Sequence, residues 1–147
     1  MGNTMQIAEA MAEVAPLTIA DFDDIGKYNL AQYDAGGFGG GINAGSHDPK
    51  LIKFVEKLPA APKYSFVFST SATGKYQKYN KKLISLLEQK GSKVLGSFGC
   101  KGLCKFFIFA VAGGITKGRP NIDDFDAAQS FIEDVMKDLE KEKSANK

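Results

Sequence analysis

The chain has 147 residues, 44% hydrophobic and 24% charged, with a formal net charge of +2. Such a length and composition are typical of one globular domain, so we expect residues 1–147 to form a single domain. The small net charge gives no reason to expect nucleic-acid binding, and no apolar run reaches the ~20 residues needed to span a membrane. With two cysteines and no leader-like N-terminus, we expect a cytoplasmic protein without a disulfide framework.

The N-terminal part of the chain predicts a helix followed by two strands. Ile7, Met11 and Val14 recur at the spacing of an amphipathic helix. The apolar stretch from Leu17 to Ala20 predicts a short strand, and the glycine-rich stretch from Ala35 to Gly39 predicts a second one.

The middle of the chain continues this alternation of helices and strands. In "SHDPKLIKFVEKLP" we expect a helix with Asp48 as its N-cap and Pro49 in its first turn. The apolar run "YSFVFST" predicts a strand that is buried on both faces. A helix in "YNKKLISLLEQKG" should end at Gly91, and "KVLGSFG" predicts the next strand.

The C-terminal part consists of a connection and a helix. The connection, "CKGLCKFFIFAVAGGITKGRPN", is rich in glycine and aromatic residues. The helix should be capped by Asn121, with Asp123 and Asp124 complementing the helix dipole in its first turn. The residues expected on its buried face are Phe125, Ala128, Ile132, Val135 and Leu139. We expect residues 141–147 to fray.

Strands that alternate with amphipathic helices predict an α/β fold, here a three-layer, doubly wound parallel sheet. Ligands bind such sheets at the carboxyl ends of the strands, and three segments fit that place. Gly2-Asn3-Thr4 opens the first helix and could hold an anion, with a simple helix cap as the alternative. The segments "GGGINAGSH" (39–47) and "STSATGKY" (69–76) either line a polar ligand or form ordinary turns.

The ordered set of these motifs resembles the flavodoxin family. The matching stretches are "GNT", "IAEAMAE", "YDAGGFGGGINAG", "LIKFVEKLP", "FVFSTSATG", "LLEQKGSKVLGSFGCKG" and "GGITKGRPNIDDFDAAQSF". They cover almost the whole chain in the family's order and spacing. The resemblance implies a flavodoxin-like domain that binds FMN non-covalently and carries electrons between redox partner proteins, without a metal, a nucleic acid or a membrane.

The resemblance also implies where FMN would bind. The phosphate would lie on residues 1–4, a partial phosphate loop, and the ring between residues 40–44 and 69–74, with 99–102 nearby. A glycine-adjacent peptide that flips would accept a hydrogen bond from the reduced ring. The binding residues expected on this basis are Gly2, Asn3, Thr4, Gly40, Gly41, Ile42, Asn43, Ala44, Ser69, Thr70, Ser71, Ala72, Gly74, Gly99 and Cys100.

The chain departs from the family pattern at its beginning. Similar flavodoxin-like proteins begin with an apolar strand and a Ser/Thr-rich turn, and both are missing before Gly2. That N-terminal strand lies inside the family's sheet, in the order 2-1-3-4-5. Without it, the strands expected at 17–20 and 35–39 would present open edges, which invite new pairing or association into a homo-oligomer. A truncated chain and a rebuilt sheet are the alternatives.

Further departures affect the ring site. Asn43 stands where family members often carry an aromatic residue, so Tyr76 or Phe98 would have to supply stacking. His47, the only histidine, could tune the ring, but a role in a surface loop or cap is favoured. The slightly positive net charge argues against recognition of partners through an acidic surface.

Four functions compete on this evidence. An FMN-binding electron carrier, rather than an enzyme, is favoured. The alternative is a flavin-free or N-terminally truncated module that acts in protein interaction, which the missing strand supports. A flavin reductase would need a substrate pocket and a nicotinamide site, for which the sequence gives no evidence. A receiver-like signalling domain needs an acidic phosphoacceptor at a strand end, where this chain has Gly39-Gly40-Gly41, so we set it aside.

Overall fold

Helices cover both faces of a single sheet. The computed structural model describes residues 3–20, 25–43, 45–73, 75–101 and 122–145, with the backbone alone at residues 3, 4, 31, 43 and 122. The helices are α1 (Asn3–Ala12), α2 (Pro49–Lys57), α3 (Tyr76–Gln89) and α4 (Ile122–Ala145). The strands are β1 (Ala35–Asn43), β2 (Ser46–His47), β3 (Tyr64–Ser71) and β4 (Lys93–Lys101). Short 3₁₀ turns at Ile25–Lys27 and Leu30–Gln32 precede β1.

The strands form a sheet in the order β2-β1-β3-β4. β1, β3 and β4 are parallel, whereas β2 pairs with the end of β1 in an antiparallel hairpin. The sheet is therefore mixed, and the expectation of parallel strands alone was wrong at this edge. Gly45, with a φ of 83°, lies in the two-residue turn between the paired residues Asn43 and Ser46. Glycine adopts such a φ without strain, which allows the tight turn.

Two apolar cores lie on opposite faces of the sheet. On one face α1 and α4 pack against Phe66 and Phe68, and on the other α2 and α3 pack against Phe38 and Val67. Every residue of β3 is buried, as its apolar sequence predicts for a strand covered on both sides. The three-layer, doubly wound α/β fold expected from the sequence is confirmed.

Helix boundaries follow the signals in the sequence. The Asp48 carboxylate accepts a hydrogen bond of 2.8 Å from a backbone N–H in the first turn of α2. Gly91, with a φ of 92°, follows the end of α3, and the Ser92 N–H donates to the Leu87 carbonyl at 3.0 Å. This is the pattern of a glycine C-cap. Asn121, the expected cap of α4, lies outside the described residues.

The last helix, α4, runs antiparallel to the three parallel strands. Near its end, Glu142 pairs with Lys93, the first residue of β4. Nearer its start, Phe131 stacks on Phe98 in the second half of β4, with ring centroids 5.3 Å apart. The first turn of α4 therefore points toward the carboxyl ends of the strands. The helix continues to Ala145, beyond the point where we expected the chain to fray.

The stretch from Leu17 to Ala20 is not a strand, contrary to our expectation. Leu17 packs against the core beneath α1 and α4, and its N–H donates to the Ala15 carbonyl in a tight turn at 2.8 Å. The stretch lines a cavity beside β1 instead of pairing with it. An apolar stretch needs a paired strand to form a ladder, and the cavity separates this stretch from β1, the described strand on that side.

Candidate functional site

The carboxyl ends of β1, β3 and β4 bring the predicted ring-binding segments together. In the register of the sheet, Gly40 lies beside Ser69, and Ser69 lies beside Gly99. The next row along the strands consists of Gly41, Thr70 and Cys100. Residues that are far apart in the sequence thus form two adjacent rows at one edge of the sheet.

Small residues leave the main chain accessible at this edge. Gly41 is exposed, Ile42 and Ala72 are half-buried, and Thr70 and Ser71 are buried. The peptide groups of Gly41 can therefore meet a ligand directly. Three further residues of the predicted set, Gly2, Ala44 and Gly74, lie outside the described residues.

At two positions of this edge, packing of the protein's own side chains explains why the residue is glycine. A Cβ on Gly40 would lie 3.1 Å from His47 Nδ1 and 3.3 Å from Leu51 Cδ2. On Gly99, a Cβ would overlap the Cβ of Tyr76. The sequence analysis attributed such glycines to a ligand that approaches the backbone, whereas here they accommodate the protein's own side chains.

His47 is buried, with 3% of its surface exposed, so the favoured role in a surface loop or cap was wrong. The β1–β2 hairpin turns its ring inward, and its Nε2 lies 2.8 Å from Asn80 Oδ1. Asn80 Nδ2 donates to Ser97 Oγ at 2.9 Å and to the Phe98 carbonyl at 3.1 Å. Burial lowers the pKa of His47, and the hydrogen bond to Asn80 partly opposes this effect.

Two buried polar atoms at this edge have no hydrogen-bond partner among the described residues. They are Nδ1 of His47, which faces Gly40, and Oγ of Ser69, which lies beneath Gly99. Buried polar atoms are normally hydrogen-bonded, and each exception needs an explanation. A polar ligand or an ordered water that reaches between the strand ends would satisfy them.

The predicted phosphate segment opens α1. Asn3 and Thr4 form part of the first turn of this helix. The backbone N–H groups of a first turn have no partners within the helix. The positive end of the helix dipole adds a preference for an anion.

Tyr76 and Phe98 are the two aromatic residues considered for stacking on a ring. Phe98 is half-buried, packs against the core beneath α1 and α4 and stacks on Phe131, so one face of its ring is already occupied. Tyr76 opens α3, is half-buried and lies over Gly99. Stacking on a ring stays a prediction for both residues, and Tyr76 is the better placed of the two.

The described part of the chain was searched for two further features, a membrane-spanning helix and a group of metal-binding side chains. No described helix combines the length and the apolar character that crossing a membrane requires. The described residues also contain no group of three or more His, Cys, Asp or Glu side chains that could hold a metal ion.

Comparisons with known proteins agree with this architecture. A relative from Methanocaldococcus jannaschii, itself an uncharacterized protein, is 35% identical over 136 residues, which cover 92% of this chain and 91% of that protein. A solved flavodoxin from the domain Archaea has the same fold, with a TM-score of 0.66 and 14% identity over 94% of this chain and 91% of that chain. The model of the flavodoxin domain matches residues 1–104. Because this model spans most of the sequence, the chain belongs to the flavodoxin family.

Proposed function

We propose that the chain binds FMN at the carboxyl ends of β1, β3 and β4 and serves as an electron carrier for redox partner proteins. The observation that supports this function is the single row formed by Gly40, Ser69 and Gly99. It joins the segments that the resemblance to flavodoxins assigned to the ring. When bound, FMN supplies the electron-transfer chemistry, and the protein supplies binding and orientation.

The residues at this edge suit the ring of FMN. Gly41 and Ala72 leave the main chain accessible, and a ring with polar edges needs peptide donors and acceptors more than charged side chains. Nδ1 of His47 and Oγ of Ser69, which have no partner in the part of the chain that the structure describes, add hydrogen-bonding capacity at the same place. Tyr76 is available to cover one face of the ring.

The first turn of α1 would hold the phosphate. The N–H groups of Asn3 and Thr4 would donate to phosphate oxygens, and the helix dipole would favour their charge. This division of roles predicts that FMN binds more tightly than riboflavin, which has the same ring without the phosphate.

An FMN titration of the purified chain tests the proposal through quenching of flavin fluorescence. We expect saturable binding at about micromolar concentration or below, equivalent to about −8 kcal/mol. Ala72→Glu adds bulk and negative charge at the candidate site and should weaken binding at least about tenfold, or about 1.4 kcal/mol. Ala60→Glu, the same change before β3 at the opposite end of the sheet, is the matched control and should bind FMN normally.

Electron carriage needs a separate measurement. The FMN-loaded protein should be reduced by dithionite and reoxidised by a one-electron acceptor such as ferricyanide. Steady oxidation of NADH with a quinone as acceptor would instead indicate a reductase.

A flavin-free interaction module is the second candidate function. The observation that favours it is the apolar cavity beside β1, whose lining contains none of the residues proposed for the ring. If the folded chain fails to bind FMN, this candidate replaces the electron carrier.

A further inference from the structure

Four exposed lysines lie at the edge of the sheet where the strands end, next to the candidate FMN site. Lys50 is in the first turn of α2, and Lys101 is the last residue of β4. Lys75 directly precedes α3, and Lys78 is in the first turn of this helix. Three separate elements therefore place positive charge at the same edge, and we call these four residues the basic rim.

The charges of the basic rim are not neutralised by the described part of the chain. No described acidic side chain forms an ion pair with a rim lysine. At the opposite end of the sheet, by contrast, Lys93 pairs with Glu142 and Lys143 pairs with Asp34. Near them, Lys90 Nζ donates to two backbone carbonyls at the end of α2. Those lysines contact other elements of the fold, whereas the rim lysines remain exposed.

Acidic residues are concentrated on the other side of this edge. The first half of α3 contains three lysines and no acidic residue. Asp48 precedes α2, but its carboxylate accepts the hydrogen bond that caps the helix. Asp123 and Asp124 are in the first turn of α4, which packs on the opposite face of the sheet from α2 and α3. The edge is therefore basic on the side of α2 and α3 and acidic on the side of α4.

The basic rim adjoins the aromatic residue that is best placed to cover the FMN ring. Lys75 and Lys78 lie on either side of Tyr76 in the sequence, and Tyr76 lies over Gly99. Electrons pass efficiently only between groups that are close together, so a redox partner must approach the ring at this edge. Such a partner would meet the positive charges of Lys75 and Lys78.

We propose that the basic rim is the docking surface for an acidic redox partner protein, which presents Asp and Glu side chains beside the ring. The inference rests on the proposed function and names the kind of partner. Complementary charges accelerate the encounter of two proteins and exclude partners of the same sign. A nucleic acid or an anionic membrane is a poorer occupant. Its extended negative surface would also cover the acidic first turn of α4 and be repelled there.

An oligoglutamate peptide is the probe for docking, and amide chemical shifts report where it binds. At low salt we expect saturable binding, with the largest shifts at Lys75, Lys78 and Lys101, and a loss of affinity as salt screens the charges. Duplex DNA and vesicles that contain phosphatidylserine are the competing ligands. Shifts spread evenly over the surface, or tighter binding of DNA or vesicles than of the peptide at the rim, would overturn the proposal.

Charge reversal locates the interaction. The double variant Lys75→Glu, Lys78→Glu should bind the peptide at least about tenfold more weakly. The matched control, Lys137→Glu, Lys141→Glu, makes the same change in net charge at exposed positions in the second half of α4, away from the rim. It should bind the peptide normally, and circular dichroism checks that both variants are folded. Equal weakening would mean that net charge alone decides binding, and would contradict the proposal.

Electron transfer tests the charge beside the ring. The FMN-loaded, reduced protein gives one electron at a time to ferricyanide, an anion, or to tris(phenanthroline)cobalt(III), a cation. With a basic rim, added salt should lower the rate with ferricyanide and raise the rate with the cobalt complex. Lys75→Glu, Lys78→Glu should react at least about threefold more slowly with ferricyanide at low salt. The opposite salt dependence would overturn the proposal.

Failure of the docking surface and failure of the proposed function give different results. FMN binding without peptide binding would overturn the docking surface and leave the electron carrier in place. Peptide binding at the rim by a chain that binds no FMN would overturn the electron carrier, and with it the redox character of the partner, while an acidic docking partner would remain.

Discussion

Asn80 accepts a hydrogen bond from His47, and the two side chains are buried together with Nε2 and Oδ1 2.8 Å apart. The amide nitrogen of Asn80 donates to Ser97 and Phe98, so its oxygen is the atom that faces the imidazole. Nε2 therefore carries the proton, and Nδ1 is an acceptor that has no partner among the described residues. Through α3, the contact ties the β1–β2 hairpin to the end of β4, and so connects two segments of the candidate site.

Stability should decrease when the pH falls below the ordinary pKa of histidine. Burial lowers the pKa of His47 from its usual value of 6.5. Above pH 6.5 His47 is neutral in the folded and unfolded chains. Below it, the unfolded chain binds a proton that the folded chain binds only at its own lower pKa, so the free energy of unfolding falls across that window. Each unit of lowering corresponds to about 1.4 kcal/mol.

Urea denaturation between about pH 7.5 and pH 5 measures this effect. His47→Gln, which does not titrate, is the control because it retains the contribution of all the carboxylates. The pH dependence of the wild-type chain should exceed that of the variant. Parallel curves for the two proteins would show that His47 titrates alike in both states.

Removal of the Asn80 side chain should be costly. Asn80→Ala deletes three hydrogen bonds and leaves His47 Nε2–H and the Phe98 carbonyl without this partner. We expect a loss of about 2–4 kcal/mol in the free energy of unfolding, since buried polar groups are left unsatisfied. The control is Gln89→Ala at the exposed end of α3, expected within about 0.5 kcal/mol of wild type. Similar losses for both variants would mean that the network contributes little.

The overall fold was predictable because its signals are local. The strand of residues 64–71 has an apolar centre, Phe66 to Phe68, and is buried throughout. Helix α3 ends at the glycine that the sequence indicates, Gly91. Hydrophobic periodicity and helix caps depend on residues that are close in the sequence, and the folded chain retains them.

The environment of His47 was not predictable in the same way. A strand of two residues, Ser46–His47, is too short to show any periodicity, and the burial of the ring depends on its contact with Asn80, distant in sequence. Gly45 is only a weak signal for the hairpin, because Ala44-Gly45 is not one of the favoured two-residue turn pairs such as Asn-Gly or Asp-Gly. The prediction of a strand from Leu17 to Ala20 was wrong for the opposite reason: its sequence is strand-like, but it pairs with no strand among the described residues.

A side chain at Gly39 should strain the core. The Cβ of Gly39→Ala would overlap the ring of Phe68, and overpacking of this kind costs about 1–3 kcal/mol. Gly26→Ala is the control, because nothing lies within 4 Å of its Cβ position. The double variant with Phe68→Leu should recover part of the loss. Equal unfolding midpoints for the two alanine variants in urea would contradict this packing.

Alanine substitutions at two glycines with positive φ distinguish an effect on stability from an effect on FMN binding. Gly45 has a φ of 83° and Gly91 a φ of 92°, and a Cβ on either would meet no atom within 4 Å. Gly45→Ala and Gly91→Ala should therefore both destabilise the fold by about 1–2 kcal/mol through backbone strain alone. Only Gly45 lies in the turn at the candidate FMN site, since Gly91 precedes β4 at the opposite end of the sheet.

FMN affinity should thus change in Gly45→Ala and stay at the wild-type value in Gly91→Ala. Thermal unfolding gives the stability of the two variants, and the fluorescence titration gives their affinity for FMN. If both lose stability but neither changes its affinity, the hairpin turn does not contact the ring, and the ring must lie closer to β3 and β4. If both lose affinity equally, strain acts on the whole fold rather than at the site.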